Sequence, residues 1–107
     1  MAEDPRRTAA AAAIVRSPDP NRLIWSTVAE ARAAASAAHR GCQGVIAPAL
    51  LRGVQEVQEA LAGYGRTSDP VTDLARAREL LERARVLHAQ AVQALTAPQR
   101  RPHALSA

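Results

Sequence analysis

Between residues 24 and 42 the apolar side chains recur at Ile24, Val28, Ala31, Ala35, Ala38 and Cys42, in steps of 4, 3, 4, 3 and 4. That spacing keeps one stripe of a helix apolar and marks a heptad seam. A second series, Ile46, Leu50, Val54, Val57, Leu61 and Tyr64, falls on one side of a following helix. A third, Leu74, Ala77, Leu81, Ala84, His88, Ala91 and Leu95, is broadened by Leu80 and Leu87. No run alternates with period two or gathers β-branched residues, so no strand is predicted. The pattern predicts an all-α fold, a small antiparallel helical bundle with three main helices at about 20–40, 45–63 and 70–96. A short N-terminal helix over 5–16 offers only Ile14 and Val15 for packing and is short enough to fray.

The turn residues agree with these limits. Asp4-Pro5, Asp19-Pro20 and Asp69-Pro70 each precede helix-forming residues. Aspartate at an N-cap accepts the free backbone N–H groups, and proline at the first helical position gives up a donor that has no intrahelical partner. Ser17-Pro18 and Ala97-Pro98 end helices, and Gly63-Tyr64-Gly65 is expected to supply left-handed caps. The stretch HRGCQGVIAP, residues 39–48, reads as a corner: His39 and Arg40 in a last turn, Gly41 as a left-handed cap, Cys42 packing back, Gly44 opening the next helix and Pro48 in its first turn. The heptad register running through Cys42 to Val45 also fits a single helix kinked near Pro48, and the corner is the favoured of the two. The domain organisation that follows is a flexible or weakly helical segment 1–18, a bundle 19–97 and a disordered basic tail 98–107.

Composition changes this picture in one respect. Of 107 residues 26 are alanine, only 24 are large and apolar, and none is Phe. A core that thin points to a second chain, either a homo-oligomer or another helical protein. The expected contact is the alanine seam of the second helix, Ile24, Trp25, Val28, Ala31, Ala35 and Ala38, where small side chains let helices approach closely. Trp25, beside Leu23 and Ile24, reads first as a core anchor and second as a contact residue.

Charge adds an alternative. The 14 basic residues are all arginine, against 10 acids, for a net charge of +4. The surplus lies in the tails, at Arg6, Arg7, Arg16, Arg100 and Arg101, which fits weak nucleic-acid binding without sequence preference. One Trp and one Tyr make a poor stacking platform, so this stays second to a protein partner.

The chemistry-bearing residues are few. One Cys and three His do not make a zinc set, and Cys42 near a helix end faces a dipole that opposes a thiolate. There is no Gly-rich phosphate loop and no nucleophile motif, and the acids fall beside arginines, Glu79 before Arg83 and Asp73 before Arg76, as solvated pairs. His88, on the apolar seam, reads as half-buried with one hydrogen-bond partner. The expectation is a non-catalytic interaction protein with no cofactor, no metal and no small-molecule substrate. No apolar stretch has the length of a membrane span and the N-terminal apolar run is short for a secretory signal, so a cytoplasmic protein without membrane contact is expected. The Trp-x-Gly turn of small secreted helical hairpins is missing, since Ser26 and Thr27 follow Trp25.

Overall fold

The computed structural model describes residues 4–44 and 47–96, of which 85% are helical, with no strand among them. Helix α1 spans Pro5–Arg16, α2 Pro20–Cys42, α3 Pro48–Ala62 and α4 Pro70–Thr96. Each begins on a proline. Asp4 Oδ1 accepts from Arg6 N at 3.0 Å, Asp19 Oδ1 from Arg22 N at 3.1 Å and Asp69 Oδ1 from Val71 N at 3.0 Å, so all three Asp-Pro pairs do cap helices. Only α3, behind Ala47, starts without a side-chain cap.

The fold is organised by α2 against α4, the most extensive packing in the bundle. The two run parallel: Trp25 and Asp73 share a Tyr64 neighbour at one end, Glu30 reaches Arg85 in the middle, and Gly41 faces Ala91 at the other end. Helix α3 returns between them, antiparallel to α4, with Glu56 3.7 Å from Arg83 and Gly53 against Leu87. All six residues of the α2 seam are buried, from Ile24 to Cys42, together with Thr27, whose hydroxyl donates to Leu23 O at 2.8 Å. Facing them, α4 buries Ala77, Ala84 and Ala91, seven residues apart. Alanine on both sides brings the two backbones close. The limit is reached at Gly41, where a Cβ would lie 2.9 Å from Ala91 Cβ.

That approach corrects the expected role of Gly41. It is no left-handed cap: α2 continues past it through Cys42, packed on α4, and ends at Gln43 in the right-handed region (φ −69°, ψ −20°). No glycine among the described residues has positive φ, and Gly63 sits at φ −92°. Gly44 lies in the turn and does not open α3, which begins at Pro48 instead of residue 45. The break between Cys42 and Pro48 makes two helices and not one kinked helix. Val45, Ile46 and the whole segment 97–107, with its Ala97-Pro98 stop, lie outside the described residues.

Helix α1 is better held than its sequence suggested. It packs on α4 and buries Ala10 and Ala13, with Ile14 partly covered by the main core. Its first turn ties to α4 through Arg6 to Glu79 (3.4 Å) and Glu82 (3.5 Å) and through Arg7 to Asp69 (2.9 Å). Ile14 and Val15 are its only large side chains, but a flat alanine face lets the helix lie close to α4 and meet dispersion contacts along it.

Candidate functional site

The bundle concentrates its polar and aromatic interactions at one corner, where the loop 63–69 passes from α3 to α4. The corner is built on Asp73, in the first turn of α4, whose side chain has no solvent exposure. Its Oδ1 accepts from Thr67 Oγ1 at 2.8 Å and from Thr67 N at 3.0 Å; its Oδ2 accepts from Arg66 Nε at 2.7 Å. Burial would raise the carboxyl's pKa, but the Arg66 guanidinium and the Thr67 donors outweigh it and hold the group below the ordinary carboxylate range. Tyr64 OH donates to the Asp73 carbonyl at 2.6 Å, and burial and the Asp73 charge push its phenol pKa up. Arg66 also donates to Asn21 Oδ1, which ties the loop to the start of α2.

Outside this clamp lie the side chains that meet solvent. The Trp25 ring stands edge-on to Tyr64, with centroids 5.7 Å apart and planes at 79°. Arg76 Cζ sits 5.5 Å from the Tyr64 centroid on the same ring. Arg32 donates to Leu61 O at 3.3 Å and so caps the carbonyl end of α3. Because α2 and α4 are parallel, both N-termini point to this end and add positive potential. Next to it Asp69 accepts from Thr72 and Arg7, which lowers its pKa to about 2. The carboxylate of Asp73 is wholly engaged as an acceptor and the phenol of Tyr64 as a donor. What the corner offers outward is an indole among guanidinium groups.

Of the six expected contact residues, five are enclosed: Ile24, Val28, Ala31 and Ala38 have no exposure and Ala35 has 2%. Their partner is α4 of the same chain. Trp25 alone remains accessible, at 38% exposure. It is therefore no buried anchor. Among the tail arginines, Arg6 and Arg7 are half-exposed but paired with acids, Arg16 is exposed, and Arg100 and Arg101 lie outside the described residues. His88 is half-buried and Cys42 is a buried free thiol.

Two sequence expectations are corrected here. Asp73 is not a solvated partner of Arg76, because it turns inward to Arg66. Glu79 and Arg83 look to other helices, Glu79 to Arg6 and Arg83 to Glu56. A signal for Asp73 existed: with Ala77, Leu80, Ala84, Leu87 and Ala91 it forms a second 4, 3, 4, 3, 4 series along the covered side of α4. Tyr64 closes the apolar series of the third helix and is buried as that series implies, but nothing local places Arg66 and Arg76 beside it, since the loop decides their meeting.

The other exposed apolar residues form no large surface. Val15 on α1 is 84% exposed, Val86 50%, Val92 43% and Leu95 48%. At about 100° per residue Val86 points roughly 120° from Val92 and roughly 180° from Leu95, while Val92 and Leu95 are neighbours about 60° apart at the end of α4. Single residues and a pair of this kind are ordinary. Among the described residues no group of three or more His, Cys, Asp or Glu is placed to hold a metal ion, and every buried side-chain N or O atom has a hydrogen-bond partner. No family model matches the chain, and neither the curated proteins nor the solved structures give a match.

Proposed function

We propose that the protein is a non-catalytic helical interaction module that recruits another polypeptide, a second copy or another helical protein, through the Trp25 corner. One observation carries this: the chain's single tryptophan is left 38% exposed, with its ring in T-shaped contact with Tyr64. Tryptophan supplies large contact area at low entropic cost and is the residue most enriched at binding hot spots. Beneath it, the Asp73 carbonyl fixes Tyr64, and the indole rests against that fixed ring, which lowers the cost of ordering it on binding. The polar side chains of this corner are engaged in holding the loop, which favours recognition over acid–base work. The proposed setting is the cytoplasm, where a lone thiol such as Cys42 stays reduced; no helix among the described residues is long and apolar enough to cross a membrane.

Photocrosslinking tests the reading. A benzophenone-bearing amino acid at position 25 is expected to give a protein adduct in cells, while the same group at Gln55, exposed on α3, gives none. Equal labelling at both positions would remove the basis for the Trp25 surface. A nucleic-acid adduct at position 25 would instead favour the arginine-based alternative.

A further inference from the structure

Resting on that reading, we propose that the Trp25 corner binds an acidic polypeptide segment, its carboxylates meeting Arg22 and Arg76 and an apolar side chain of it covering the indole. Arg6, Arg83 and Arg85 are matched within the chain, by Glu79 and Glu82, by Glu56 and by Glu30, whereas Arg16, Arg40, Arg52 and Arg78 form no ion pair among the described residues; what sets Arg22 and Arg76 apart is the exposed indole they accompany. At this corner Arg22 and Arg76 form no ion pair among the described residues, and both are exposed. Arg22 stands one turn before Trp25 on α2, so the two side chains are neighbours. Arg76 lies over the Tyr64 ring, the same ring that supports Trp25, and stacking on an aromatic leaves the N–H fork of a guanidinium free to take a carboxylate.

The acids nearby are committed. Asp73 is enclosed, Asp69 holds Arg7 and Thr72, and Asp19 caps α2 through Arg22 N. The complementary partner therefore brings negative charge. A polypeptide fits better than a nucleic acid: Trp25 and Tyr64 stand at 79° to each other, so they offer no pair of parallel faces on which successive bases could stack. An apolar side chain beside the carboxylates would bury the indole, whose N–H adds a donor.

Trp25 is also the chain's only tryptophan, so its emission reports on the site directly. The full chain is titrated with a synthetic peptide of repeated Glu-Glu-Leu, with the same peptide carrying Gln for Glu, and with single-stranded oligothymidylate. The Glu peptide is expected to give a saturable blue shift that weakens as salt rises, and the Gln peptide to bind several-fold to about tenfold less well, on the order of two exposed ion pairs. Replacing Arg22→Ser and Arg76→Ser together should weaken the Glu peptide by about tenfold, with Arg22→Lys retaining most of the binding, and should leave the circular dichroism spectrum unaltered. Equal binding of the Glu and Gln peptides overturns the acidic partner while leaving an apolar docking role for Trp25. A blue shift with oligothymidylate alone overturns both. Absence of any shift, or wild-type binding by the double variant, overturns the proposal.

Discussion

Replacing Asp73 with asparagine keeps the shape of the side chain and removes its charge. In the folded chain both carboxylate oxygens face donors, Thr67 N and Oγ1 on one and Arg66 Nε on the other, so whichever way the new amide turns, its NH2 meets a donor. Breaking a buried charged pair from one side costs about 3–5 kcal/mol. Arg66 keeps 27% of its side chain exposed and regains some hydration, which places the cost near the lower limit, about 3 kcal/mol. Domains of this size have roughly 5–14 kcal/mol of stability in all, and 1 kcal/mol moves the melting temperature by about 4–8 °C. Asp73→Asn is therefore expected to melt more than about 10 °C below wild type by circular dichroism. Arg66→Met should be similarly damaging, and the pair together less damaging than the sum, because the second substitution removes a partner already lost. A shift under about 3 °C for Asp73→Asn would refute the clamp.

The remaining expectations concern packing and pH. Gly41→Ala should lower the melting temperature although alanine favours helix by about 1 kcal/mol, because its methyl would crowd Ala91; adding Ala91→Gly should recover the loss. Ala35→Leu, at a seam position with 2% exposure, should cost about 1–3 kcal/mol in urea unfolding, whereas Ala33→Leu on the exposed side of α2 should be neutral. Asp69 and Asp73 both titrate below their unfolded values, so their contribution is complete above about pH 4 and fades as pH falls toward Asp69's folded value of about 2; melts from pH 6 to pH 2 should trace this loss. Tyr64 titrates above its unfolded value, so its contribution is complete below pH 10 and disappears as pH rises through the folded value, visible by phenolate absorbance in an alkaline melt.

The helices were legible because the seam positions and the Asp-Pro caps both act locally. The spacing from Ile24 to Cys42 marks one stripe, and the fold buries it as one stripe. What that stripe faces was not legible. Alanine gives no directional preference: the thin core points to a second chain at Ala31, Ala35 and Ala38, whereas the fold encloses these residues within the chain, where α4 carries the matching series Ala77, Ala84 and Ala91. Gly41 misled for a related reason. A glycine near a helix end usually signals left-handed backbone, but here it is required by the closeness of Ala91, a long-range contact. The corner was the least readable part. Asp73 stands next to residues that look like ordinary surface pairs, and only the path of loop 63–69 brings Arg66, Thr67 and Tyr64 onto it.

Amide hydrogen exchange of the full chain, alone and with the Glu-Glu-Leu peptide, tests the Trp25 surface most directly. Protection is expected to increase over residues 21–32 and 61–76, the segments that carry Arg22, Trp25, Tyr64 and Arg76, and to stay the same over residues 84–96. Protection that rises instead along residues 84–96 would place the contact on the far end of α4 and contradict the assignment of Trp25.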